Sequence, residues 1–102
     1  MSAREIDESF DEQFMASAGS EVPHWLAGEG FVVRSIASSK DALTVEASES
    51  MRKVQIRIDR AHRTVKVTNR FLVVFSRVVH LPFGDMVRLR TTIQALGDDQ
   101  NE

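Results

Sequence analysis

A chain of 102 residues, 42% hydrophobic and 27% charged, has room for one domain with one modest core and no second. It has no cysteine, which excludes disulfides, thiolate catalysis and cysteine-ligated metals. The net charge of −2 hides a segregation: residues 1–50 carry three basic and ten acidic side chains (net −7), and residues 51–102 carry ten basic and five acidic (net +5), so the two halves attract, within one chain or between two.

Ser2-Ala3-Arg4-Glu5 fits a capping box, with Ser2 at the helix start and Glu5 reaching back. Ile6, Phe10 and Phe14 recur every four residues as an apolar stripe flanked by Glu5, Asp7, Glu8, Asp11 and Glu12. Gly19 is a stop signal, so the spacing predicts a helix over residues 3–18 whose stripe docks on a sheet. Ser20-Glu21-Val22-Pro23 caps a second, very short helix through Trp25 and Leu26, ended by Gly28 and Gly30. Trp25 either anchors the junction of helix and sheet or lines a pocket there.

Residues 31–38 read as a strand, residues 39–41 as a turn, and residues 42–48 as a second strand with Leu43, Val45 and Ala47 inward. Residues 54–59 alternate, with Val54, Ile56 and Ile58 on one face, and alternation resumes over residues 64–68 after a polar loop, which is a hairpin pattern. Phe71, Leu72, Val73, Val74 and Phe75 are apolar without interruption, which predicts a strand covered on both faces, by the N-terminal helix or by another copy of the chain. Ser76-Arg77 then marks a bend before Val78, Val79 and Leu81. Over residues 86–96 two periods compete. Met86, Leu89, Ile93 and Leu96 suit a helix, but the β-branched Val87, Thr91, Thr92 and Ile93 favour a strand, which is the reading adopted. The expected fold is α+β: an N-terminal helix plus a short second one on a strongly bent antiparallel sheet of five to six strands. Residues 1–97 form the domain and residues 98–102 a disordered acidic tail.

Ile58-Asp59-Arg60-Ala61-His62-Arg63-Thr64-Val65, followed by His80-Leu81-Pro82-Phe83-Gly84-Asp85-Met86, resembles a pattern in bacterial PH-like domains: an Asp-Arg hairpin turn, then a Leu-Pro-Phe step into the next strand. The resemblance implies a bent antiparallel sheet. This chain departs from it by placing a helix first where PH-like domains place theirs last, and no ligand residue carries over.

Catalytic signals are weak. His24, His62 and His80 sit in separate local contexts without carboxylates at ligand spacing. Ser76, His80 and Asp85 hold the residue types of a hydrolytic triad, but a triad is defined by geometry, and neither a nucleophile elbow nor a phosphate-cradling glycine loop is present. No metal or cofactor is expected, and the reading is non-catalytic.

Two binding surfaces remain. The apolar segment Phe71 to Phe75 predicts a small interaction module that forms a homodimer or docks another protein. Lys53, Arg57 and Lys66 share the outward parity of two strands, with Arg88 and Arg90 beside them if residues 86–96 are extended; such a basic face predicts an anion or nucleic-acid binder, although it brings no aromatic stacking groups. A small-molecule pocket bordered by Trp25 is the third reading. No apolar run reaches the length of a membrane span, and the acidic N-terminus is unlike a secretory signal, so the expected setting is cytoplasmic.

Overall fold

The alternation of residues 42–71 governs the architecture. In a strand, neighbouring side chains point to opposite faces, so a run such as Val54-Gln55-Ile56-Arg57-Ile58 must bury one face and wet the other. In a computed structural model, which describes residues 3–72 and 74–98 (side chains over 8–72 and 74–97), five strands follow one another as an antiparallel meander in the order β1-β2-β3-β4-β5. They are β1 (Val32–Ser38), β2 (Ala42–Glu49), β3 (Arg52–Asp59), β4 (Thr64–Phe71) and β5 (Phe75–Pro82), between α1 (Ala3–Gly28) and α2 (Met86–Asp98). The fold is therefore α+β, with two helices packed on an open five-stranded antiparallel sheet.

Register brings the apolar parity of each strand into line. Leu43 pairs with Ile58 and Ile58 with Val65; Val45 pairs with Ile56 and Ile56 with Val67. These residues are buried and form one cluster with Phe14, Ala18, Val22, Leu26 and Phe31, and with Leu89, Ile93 and Leu96 of α2. Both helices thus lie on the same face of the sheet. Each such Ile, Leu or Val contributes roughly 1.5–3 kcal/mol on burial. Residues 54–59 and 64–68 form the expected hairpin, lengthened at both ends; β1 begins one residue later than expected and carries a bulge between Val33 and Ser35.

Three expectations are corrected. The first concerns α1, which does not stop at Gly19 but runs to Gly28, absorbing the expected second helix, with Pro23 inside it. Gly19 costs about 1 kcal/mol in a helix interior, and Pro23 leaves the Gly19 carbonyl without its usual donor. The continuous row Phe14, Ala18, Val22 and Leu26, all buried at intervals of four, offsets both. Phe10 is half exposed and rests its ring edge over Gly84 instead of joining this row, while the Ser2 cap and the Ile6 side chain lie outside the described residues. Beyond Gly28 the N–H groups of Glu29, Gly30 and Phe31 donate to the last carbonyls of α1, with Gly30 at φ +93°.

The second correction is that residues 86–98 are helical. Leu89, Ile93 and Leu96 are buried and Val87 is exposed, so the helical period matches the core and the strand period does not. Asp85 caps the helix: its carboxylate accepts from the Arg88 N–H at 3.0 Å and its carbonyl from the Leu89 N–H. Of the β-branched residues that suggested a strand, Val87 and Thr91 sit on the outer side of this helix, where their cost is small, and Ile93 packs in the core. Of the expected acidic tail, Asp98 ends α2 and residues 99–102 lie outside the described residues.

The third correction concerns residues 71–75, which are not one strand. Phe71 ends β4, Phe75 begins β5, the two pair with each other, and the chain reverses between them. Ser76 and Arg77 lie in regular register within β5, without a bend.

Among the described residues, the acidic helix is ion-paired to the basic half of the chain at the β3–β4 turn. Asp11, buried on α1, receives Arg63 Nη1 on both carboxylate oxygens at 2.8 and 2.7 Å, with Arg60 Nε 3.9 Å away. Arg63 lies over the Phe83 ring, its guanidinium 4.7 Å from the ring centroid, and Phe83 meets Phe14 edge to face. The β3–β4 turn is thereby fastened to α1. Asp11→Asn keeps the volume and removes the charge; because Arg63 is half exposed, the expected loss is about 1–3 kcal/mol in chemical denaturation, below the cost of breaking a fully buried pair.

Candidate interaction surfaces

The sheet has one face under the helices and one face free of them. Outward parity on β3 places Lys53, Gln55 and Arg57 on the free face; on β4 it places Lys66, Thr68 and Arg70 there. Register then sets like charges directly opposite one another: Lys53 against Arg70, and Arg57 against Lys66. His80 of β5 stands beyond Lys66 in the same row, and Ser48 of β2 beyond Lys53. The bulge in β1 turns Arg34 onto this face, where its Nε donates to Ser48 Oγ at 2.8 Å. Arg34, Lys53 and Arg70, with Glu46, Ser48, Gln55 and Thr68, line an open depression of about 570 Å3. Glu46 is the acid within it and accepts from Gln55 Nε2.

Lys53, Arg57 and Lys66 therefore share a face as expected, but Arg88 and Arg90 do not join them. They are exposed on α2, which covers the opposite side of the sheet. Arg70 and Arg34 take their place. Arg70 keeps the parity of Lys66 and was legible in the alternation once β4 is extended past Thr68; Arg34 depends on a bulge that no local pattern announces.

A second surface lies where the β2–β3 and β4–β5 turns meet. The Leu72 N–H donates to the Met51 carbonyl, joining the two turns. Met51 (64% exposed), Val74 (81%) and Phe75 (63%) are open to solvent, and Phe71 and Leu72 are also exposed. Val73 lies outside the described residues. Ser50 and Leu72 both hold positive φ, at 51° and 52°, a conformation that costs an L-residue roughly 1–2 kcal/mol. Just inside this end, Arg52 is 5% exposed: its Nη1 donates to the Leu96 carbonyl at 2.8 Å and its guanidinium lies over the Phe31 ring. A cation there meets the negative end of α2. Arg52 Nη2 and Asn69 Oδ1 are buried without hydrogen-bond partners among the described residues.

The remaining candidates are not brought together. Trp25 is half buried against the core at the C-terminal end of α1 and does not line the depression. His24 lies on α1, His62 in the β3–β4 turn and His80 on β5, and among the described residues no three histidine or acidic side chains are placed to hold a metal ion. Ser76 and His80 are four residues apart on one strand, about 13 Å at the usual rise, while Asp85 caps α2, so no triad forms. Among the described residues no helix is long and apolar enough to cross a membrane.

Compared with family models, curated proteins and solved structures, the chain gives no match.

Two outcomes follow from this electrostatic layout. Opposed like charges destabilise a strand pair, so Arg70→Thr is expected to raise stability by about 0.2–1 kcal/mol at low salt, in urea denaturation. The Asp59 carboxylate accepts from the His62 backbone N–H and then from the His62 ring, and both hold its pKa below the ordinary value. A depressed carboxylate stabilises the fold above its unfolded pKa, and that contribution disappears as pH falls through the folded one. In an NMR titration, His62→Ala is expected to move the Asp59 midpoint upward while leaving it below an unperturbed aspartate, because the backbone N–H remains.

Proposed function

We propose that this chain is a small non-catalytic interaction module that self-associates through the apolar end of its sheet. The observation that carries the reading is the cluster Met51, Phe71, Leu72, Val74 and Phe75, exposed together on two adjoining turns. Exposed apolar residues gathered at one place mark contact sites more often than scattered ones do. The backbone supports the same reading. A leucine held at positive φ, where glycine or asparagine would relieve the turn, keeps an apolar side chain at the tip at a conformational cost.

A second copy fits this end better than an unrelated partner. β5 starts at Phe75 and is an edge strand, and among the described residues no strand pairs with its outer side. Two copies joined along β5 would satisfy both edges through backbone hydrogen bonds and cover Val78, itself exposed, in an isologous contact. The reading includes a cytoplasmic setting. It also carries forward the resemblance to PH-like domains, supported by the hairpin turn at Asp59 and Arg60, though the Leu81-Pro82-Phe83 step leads into α2 and not into a strand.

Light scattering during serial dilution tests the reading. A dimer is expected at micromolar concentration, and Val74→Asp with Phe75→Asp is expected to give a folded monomer by circular dichroism. A wild-type monomer throughout the micromolar range would sink the proposal, as would a dimer untouched by both substitutions.

A further inference from the structure

The free face of the sheet poses a problem that packing does not solve. Lys53 opposes Arg70 and Arg57 opposes Lys66, and like charges directly across a strand pair repel. The ion pairs at Asp11, Asp59 and Asp85 involve none of these four cations. All four are exposed, and neither helix approaches them. The molecule carries an excess of acid overall, with six of its fifteen acids on α1, yet this face sets Arg34, Lys53, Arg57, Lys66 and Arg70 against Glu46 and Asp59. An arrangement that costs stability and serves no internal contact is the expected mark of a site for an external anion.

We infer that this face binds the phosphate backbone of a nucleic-acid duplex without reading its sequence. The cations fall into two groups. Arg34, Lys53 and Arg70 line the open depression, where Glu46 is the acid, engaged by Gln55 Nε2, and Ser48 and Thr68 add neutral hydrogen-bonding groups. Arg57 and Lys66 form the second, with His80 at its edge. Lys53 and Arg57 are four residues apart on β3, so the groups are separated by about 13 Å, more than one phosphate spans. Two anchoring points with a polar strip between them suit a repeating polyanion and not a single small anion. Between them stand Gln55 and Thr68, whose side chains donate and accept without introducing charge.

The residues missing from the face narrow the choice of polyanion. Its outward positions are Lys53, Gln55, Arg57 and Asp59 on β3 and Thr64, Lys66, Thr68 and Arg70 on β4, with no aromatic side chain. Single-stranded nucleic acid is held largely by bases stacked on aromatic rings, which these strands do not offer. A duplex keeps its bases stacked on one another and presents phosphates alone, so cations and hydroxyls suffice. Among the described residues no helix or ribbon projects from this face to enter a groove, so contact stops at the backbone. The inference does not rest on self-association, because none of these cations belongs to the apolar cluster Met51, Phe71, Leu72, Val74 and Phe75.

Fluorescence anisotropy with a labelled 20-base-pair duplex is the test, carried out from 50 to 200 mM salt. With about four phosphates neutralised, log affinity should fall against log salt with a slope near −3.6, a loss of roughly 150-fold over that range. Lys53→Ser with Arg70→Ser should flatten the slope by about 2, one phosphate contact each, with the melting temperature unchanged or raised. Arg88→Ser with Arg90→Ser removes the same charge from the opposite side and should leave the slope as it is. Absence of binding at 50 mM salt would overturn the inference. So would equal losses from the two double variants, tighter binding of the single strand, or equal binding of a polyglutamate of matched charge.

Discussion

The two-residue period of the central strands is the constraint on which the rest of the molecule depends. Val54, Ile56 and Ile58 on β3, aligned with Val45 and Leu43 on one side and Val67 and Val65 on the other, form a continuous apolar surface. Water must be excluded from it, and both helices are recruited to do so. Because the helices occupy that side, the intervening polar residues have nowhere to go but the other. A one-residue slip in register would exchange the two faces completely. Core and cationic face are therefore two consequences of one pattern, and neither can change without the other.

Charge segregation along the chain is resolved unevenly by the fold. Asp11 draws Arg63 and Arg60 of the β3–β4 turn onto α1, and the stacking of Arg63 on Phe83 extends that contact toward the start of α2. This fastening lies at one end of the sheet. At the other end Arg52 plays a comparable part for α2, its guanidinium closing on the Leu96 carbonyl over the Phe31 ring. Two arginines thus tie helices to sheet at opposite ends, both through contacts that a lysine, with one compact charge, would not reproduce. The outward cations Lys53, Arg57, Lys66 and Arg70 have no equivalent partner among the described residues, which distinguishes them from these structural arginines.

The apolar end and the cationic face differ in what their geometry costs. At the apolar end the cost is backbone strain, with Ser50 and Leu72 in the left-handed region. On the face it is electrostatic, with paired cations across β3 and β4. Natural folds tolerate such local conflicts chiefly where a contact with another molecule makes use of them.

Much of this was readable from the chain before any fold was known. Alternation identified β2, β3 and the start of β4, and the outward parity of Lys53, Arg57 and Lys66 followed from it, because a two-residue period is a local property that survives any packing. Three features were decided only by tertiary contacts. The row from Phe14 to Leu26 carries α1 through Gly19 and Pro23, since burial against the sheet outweighs two local helix breakers. Residues 86–98 become helical because the core accepts Leu89, Ile93 and Leu96 on one side, whereas β-branched content by itself favours a strand. The apolar segment from Phe71 to Phe75 becomes a turn because register pairs those two phenylalanines with each other, and strand pairing is set between segments, beyond what either contains alone.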